Sequence, residues 1–174
     1  MPSPAVAEPL PAPLIEVDAA DGRYAIRFEL ETELPYAAVY HLITDYNRLN
    51  RLNPHIRESR IVAAPSADAL QVYTRIEGCV LVFCSELIRL EHIREPARGT
   101  IESEIVPEYS DFRRGHAIWR IEATAMGTRV RYDATFEPKR KLLPWLGPWM
   151  VRQVLREQLT DSAARLRGGV ALRD

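Results

Sequence analysis

Long apolar runs are missing from this sequence; none reaches the 18 or so residues that a membrane-spanning helix needs. Cysteine is scarce, two in 174 residues, which excludes a scaffold stapled together by disulfides. An excess of charge of one sign is also missing. Lys and Arg number 23 against 24 Asp and Glu, a formal net charge of −1, so no global basic field exists of the kind nucleic-acid binders use. The signatures of common chemistry are absent too: no G-x-x-x-x-G-K-[ST] loop, no G-x-G-x-x-G and no G-x-S-x-G elbow occurs. His41, His55, His92 and His116 are scattered, with no i, i+4 pair, so neither a metal site nor a bound cofactor is expected.

What remains is an ordinary globular composition, 47% apolar and 27% charged, at the length of one domain. The first 22 residues stand apart. They hold Pro2, Pro4, Pro9, Pro11 and Pro13, four acidic residues and no Lys or Arg. Proline fixes φ and lacks an N–H, so regular structure is not expected before about residue 14. Residues 1–22 read as a flexible acidic tail and 23–170 as the folded domain. The tail has neither the basic start nor the apolar stretch of a secretory signal, and a cytoplasmic location is expected.

Within the domain, Tyr24–Glu31 alternates apolar and polar residues, the pattern of a half-buried strand. Pro35 is suited to a helix start, and Val39, Leu42, Ile43 and Tyr46 are spaced for one helical face. A second short helix, Arg48–Asn53, is closed by Pro54. From Ile56 to Phe136 period-two stretches alternate with turn signals such as Pro65–Asp68, Gly78, Glu95–Gly99 and Met126-Gly127, the pattern of successive antiparallel hairpins. Residues 143–166 carry a helical apolar stripe through Leu146, Met150, Val154, Leu155, Leu159 and Leu166. One helix covers a sheet this large only if the sheet curls around it, and that leaves a space between them. Cys79 and Cys84 fall in one predicted strand, five apart and so on opposite faces; they read as small, buried, reduced side chains.

The segments Val39-Tyr40-His41-Leu42-Ile43-Thr44-Asp45-Tyr46, Leu52-Asn53-Pro54-His55-Ile56, Ser59-Arg60-Ile61-Val62, Gly115-His116-Ala117-Ile118-Trp119-Arg120-Ile121 and Gly127-Thr128-Arg129-Val130-Arg131-Tyr132, with Pro138 leading to Leu143-Pro144-Trp145-Leu146, carry a resemblance in their order and spacing. Over residues 24–167 the chain resembles the START-related and polyketide cyclase/dehydrase (SRPBCC) superfamily. The resemblance implies an α+β helix-grip fold, here a seven-stranded curved antiparallel sheet wrapped around the long C-terminal helix. It also implies a cavity that binds a hydrophobic small molecule of lipid, isoprenoid or polyketide type.

Strand parity and helical spacing place Val82, Glu86, Ile105, Trp119, Tyr132 and Met150 on the expected cavity wall. Glu86 is the informative one: a carboxylate in an apolar cavity must be paired or neutralised, which suits a ligand anchor or a proton donor. Tyr109 and Phe112 lie in the loop that the resemblance places at the cavity mouth. Transport or binding without chemistry is the leading function. The alternative is a cyclase or dehydratase with Glu86, Tyr132 or His116 as acid or base, although no convincing pair of proton-transfer groups is evident. Lys139, Arg140, Lys141 and Trp145 combine cations and an indole as membrane-surface segments do, so weak peripheral contact with anionic lipid is expected there. No nucleic-acid partner is expected.

Overall fold

The computed structural model of the chain describes residues 9–66, 69–80, 83–140 and 148–169. The first hairpin joins β1, Leu14–Ala20, to β2, Arg23–Thr32. Its two-residue loop is Asp21-Gly22, with φ of 51° and 77°. Two successive positive φ values match the twist of a tight hairpin, and Asp-Gly tolerates both. Pro35 then precedes α1, Tyr36–Thr44, which buries Val39, Leu42 and Ile43 along the expected face. A short helical turn, Leu49–Arg51, leads into β3, Ile56–Ser66. The meander that follows comprises β4 (Ala69–Val80), β5 (Phe83–Ala97), β6 (Thr100–Ile105), β7 (Phe112–Thr124) and β8 (Gly127–Pro138). Helix α2 runs from Pro148 to Ala164 and continues as a wider turn through Gly169.

All neighbouring strands are antiparallel, in the order β1-β2-β8-β7-β6-β5-β4-β3. The crossover through α1 brings β2 beside β8 and leaves β3 at the far edge. Helix α2 packs against β1 near one edge and β4 near the other, so the sheet curls around it as expected. The strand count is eight rather than seven. The additional strand, β1, lies within the 1–22 segment assigned to the tail, directly after its last proline, Pro13. It forms because Ile15 and Val17 face inward, where Val17 joins Ile26, Ala117 and Ala134 in a buried cluster.

The main core lies where the sheet meets α1 and the end of α2. Phe28, Leu30, Val39, Val72, Val130 and Leu166 are almost fully buried there. Each such side chain contributes about 1.5–3 kcal/mol on leaving water. Polar bonds fix the helix end in this core: Thr32 Oγ1 donates to the Leu166 carbonyl at 2.6 Å, and Arg165 donates to the Arg51 carbonyl at 3.0 Å. The convex face carries cross-strand ion pairs instead. Arg27 and Arg120 reach Asp133, Arg131 lies between Glu29 and Glu122, and Arg129 holds Glu31.

The cysteines overturn their sequence reading. They do not share a strand: β4 continues past Gly78 to Val80, and Cys79 stands directly opposite Cys84 on β5. The two are joined as a disulfide, and both residues are exposed, not buried and reduced. Gly78 does not make the turn, because the Gly78–Ser85 pair still belongs to the ladder.

Candidate functional site

Between the concave face of the sheet and α2 lies a cavity of about 230 Å³. Its volume falls a little below the roughly 300–1,000 Å³ of most small-molecule sites. Period-two alternation builds the sheet wall. Phe28 on β2, Tyr132 and Phe136 on β8, Trp119 on β7, and Ile101 and Ile105 on β6 all point inward. Helix α2 supplies Val151, Val154, Leu155 and Leu159, spaced i, i+3, i+4 and i+8 along one face, and Ile43, Tyr46 and Leu52 close the end beneath α1. Trp119 and Tyr132, opposite each other across β7 and β8, pack with ring centroids 4.3 Å apart.

The cavity has one polar centre. Arg89 and Glu91 lie on the inward face of β5, with Arg89 Nε 2.9 Å from Glu91 Oε2. Ser103 Oγ donates to Glu91 Oε1 at 2.9 Å. Burial away from bulk water pushes the Tyr132 phenol above its ordinary pKa, and the Arg89 charge opposes that rise. The Arg89 Nε–H is buried and finds no well-aimed acceptor, close as Glu91 is. Gln158 faces the same space from α2. The arrangement offers one donor-rich group and one acceptor within a mostly apolar wall, whose other polar residues, Asn53, Ser85, Gln158 and Ser162, are uncharged.

Among the residues expected at the site, Ile105, Phe112, Trp119 and Tyr132 line the cavity. Val82 lies outside the described residues. Glu86 is on the other side of the sheet: its side chain is 51% exposed and pairs with Arg75 at 2.8 Å. It stands opposite Glu77, whose carboxyl is held below its ordinary pKa chiefly by the hydrogen bond from Arg57. The inward residues of β5 are the odd-numbered ones, Ser85, Leu87, Arg89, Glu91 and Ile93, so the strand parity that places Glu86 on the wall is reversed. Leu90 is buried from outside, because Ser110 and the 106–111 segment bond along its backbone. Met150 is not in the wall; Val151, one position on, takes its place. Tyr109 stands 70% exposed and does not line the cavity. His116 is exposed on the convex face, in a shallow groove with Glu16, Asp18 and Arg27, so it and Glu86 are both excluded from acid–base work in the cavity.

Arg89, Glu91, Ser103 and Gln158 were not foreseen. The available signal was that Arg89 and Glu91 share parity with Leu87 and Ile93, the other apolar series of β5. The Glu77 carboxylate and the sulfurs of Cys79 and Cys84 lie within 4.8 Å of one another, but the sulfurs are bonded to each other and present no thiolate to a metal. Lys139 is exposed and donates through Nζ to the Pro107 carbonyl at 2.6 Å, and Arg140 is exposed; Lys141 and Trp145 lie outside the described residues. No helix among the described residues is long and apolar enough to cross a membrane.

Residues 32–163 match the family described as polyketide cyclase / dehydrase and lipid transport. No curated protein matches the chain. Among solved structures, a START superfamily protein from Mycobacterium smegmatis is similar at 20% identity and a TM-score of 0.65, over 84% of this chain and 96% of that one. A STAR-related lipid transfer protein fragment from Xanthomonas axonopodis is similar at 18% identity and a TM-score of 0.66, over 89% and 97%. The Zhui aromatase/cyclase from a Streptomyces species is similar at 13% identity and a TM-score of 0.60, over 86% and 99%. At these identities the structural likeness is one of fold.

Proposed function

The chain belongs to the polyketide cyclase/dehydrase and lipid-transport family, and on that footing we propose that it carries a hydrophobic small molecule with one polar end. The observation that supports this most directly is the placement of Arg89 and Glu91, the charged residues of the wall, at a single point in a mostly apolar cavity. A hydroxyl or carbonyl group on the ligand accepts from Arg89, and a hydroxyl also donates to Glu91. The apolar body packs against Trp119, Phe112 and the α2 face, where burial gives about 25 cal/mol per Å². The volume suits a compact ring system, or one end of a longer chain.

Cyclase or dehydratase chemistry is the second reading, and the Tyr132 phenol in the same cavity wall as Arg89 is the observation that favours it. Acid–base catalysis needs two groups poised for proton transfer. Glu91 is already engaged by Arg89 and Ser103, which leaves Tyr132 alone, so the carrier reading is preferred. Loading is proposed to occur at anionic membranes through Lys139, Arg140, Lys141 and Trp145, because a hydrophobic ligand is concentrated there.

Native mass spectrometry of freshly purified protein tests the carrier reading, with a retained apolar passenger as the expected result. Incubation that leaves the passenger mass unchanged supports carriage; loss of water from it supports the enzyme. Trp119→Ala is expected to change the affinity for 1-anilinonaphthalene-8-sulfonate by about tenfold while the protein stays folded. Unchanged affinity in that variant removes the cavity as the binding site.

A further inference from the structure

Strands β4 and β5 are supported along most of their length by β3 on one side and β6 on the other. That support stops before their shared tip. The β3–β4 register ends at the Ile56–Ile76 pair, with one more bond from the Glu77 N–H to the His55 carbonyl. The β5–β6 register ends at the Glu91–Ile105 pair, extended by bonds to the Leu90 and Ile88 carbonyls from Val106 and Asp111. Among the described residues, Gly78–Val80 and Phe83–Ser85 pair only with each other. A two-stranded ribbon alone is marginally stable in water.

Two further features hold this ribbon. One is the Cys79–Cys84 disulfide across it. The other is contact with α2 at Gly78: a Cβ at that position would lie 3.6 Å from Val154 Cγ1 and 3.8 Å from Gln158 Nε2, ordinary van der Waals distances, so ribbon and helix lie side by side there. Gly78, Ser85 and Leu87 belong to the cavity wall, and so do Val154 and Gln158. Along this seam the wall is closed by side-chain packing, whereas across the sheet it is joined by ladder hydrogen bonds. The disulfide therefore sits one residue pair from the cavity wall, on a segment with no other strand beside it among the described residues.

We propose that Cys79–Cys84 is a reversible thiol–disulfide exchange site, reduced by a dithiol, whose state sets how readily the cavity opens between the β4–β5 tip and α2. The inference rests on the carrier reading for its purpose but not for its chemistry. Both cysteines are exposed, so a dithiol reaches either sulfur. Its thiolate attacks one sulfur, the S–S bond breaks, and a mixed disulfide forms while the other cysteine leaves as thiolate. The reductant's second thiol then displaces the first cysteine. Two electrons and two protons pass to the chain, giving two thiols, and the reductant departs as its own disulfide. With the crosslink gone the ribbon frays, and Ser85 and Leu87 swing away from α2. A disulfide that cycles in this way is the usual kind in a reducing compartment.

The full chain is compared before and after treatment with dithiothreitol, with thiols titrated in each state. Hydrogen exchange over residues 76–87 is expected to quicken about tenfold on reduction, while β2, β7 and β8 are unchanged, as for a local opening. Association and dissociation of 1-anilinonaphthalene-8-sulfonate are expected to quicken about fivefold, in keeping with a gate that limits entry. Reoxidation restores both. Cys79→Ser/Cys84→Ser is fast throughout and insensitive to dithiothreitol. Exchange over 76–87, or probe kinetics, that stays unchanged when two thiols have appeared overturns the proposal. If the probe binds neither form, the carrier reading fails, and exchange over 76–87 alone decides the role of the disulfide.

Discussion

Arg89 and Glu91, two residues apart on β5, both point into the cavity and meet there at 2.9 Å. A paired charge in an apolar space is expensive to expose to half of its partnership. Glu91→Ala leaves the Arg89 guanidinium without its counter-ion and is expected to cost about 3 kcal/mol of stability. Arg89→Leu/Glu91→Leu removes both charges and is expected to recover most of that loss. Urea unfolding of the three proteins measures it. A double variant as unstable as the single one shows that the pair itself holds the fold.

Gly127 starts β8 with φ of 148°, and a Cβ there would stand 2.1 Å from the Thr32 carbonyl oxygen. That neighbour is backbone and cannot rotate away. Gly127→Ala is expected to lower stability by about 3 kcal/mol or more, through strain and the displaced strand end. Thermal unfolding checks it, and a change under 1 kcal/mol, or about one-third of that value, shows that the turn relaxes freely.

The Tyr40 hydroxyl donates to Glu95 at 2.5 Å, and chiefly for this reason the phenol is pushed up to about 12. Its folded pKa is above the unfolded value of 10.0, so its contribution is full below pH 10 and is lost as pH rises through about 12. The pair is near the surface, and solvent screening limits the contribution to under about 1 kcal/mol. Tyr40→Phe is therefore expected to flatten part of the decline in stability between pH 10 and 11.5, seen by urea unfolding across that range. A slope identical to wild type assigns the decline to Tyr24, Tyr46 and Tyr132, whose phenols burial also raises.

Cations near an anionic bilayer contribute roughly 1 kcal/mol each, and the effect vanishes beyond a Debye length. Phosphatidylserine vesicles are expected to sediment a fraction of the wild-type protein at low salt and little at high salt. Lys139/Arg140/Lys141→Glu is expected to abolish the low-salt fraction. Equal sedimentation of both proteins removes these residues from any lipid contact.

The meander and the gripping helix were legible because their inward residues are apolar and their outward residues charged, as on β2 and β8. On β5 that rule inverts. Leu87 and Ile88 are adjacent and Ile93 and Leu90 differ in parity, so two apolar series compete, and the charged pair Arg89 and Glu91 biases the choice outward. The strand instead turns those charges inward, where they pair with one another, and covers Leu90 from outside with the Ser110 segment. Local patterning fails where the site needs polar groups in an apolar place. The disulfide was illegible for a different reason. Strand pairing, not spacing along the chain, brings Cys79 opposite Cys84, and the run Cys79–Cys84 carries no turn residue to mark the reversal. The phase of α2 was nearly right, with Val151 in place of Met150.

The convex face has a bearing on how new ligand preferences arise. Its charges, from Arg27 through Asp133, Arg120, Arg131 and Arg129, alternate along the strands with the side chains that line the interior. Adjacent positions on one strand therefore answer to separate demands, cohesion of the shell outside and selectivity inside. Substitutions at Ile101, Ile105 or Trp119 can reshape the interior one volume at a time while the external lattice keeps the register of the strands. A lineage with this wall construction can drift from one guest molecule to another without passing through an unfolded ancestor.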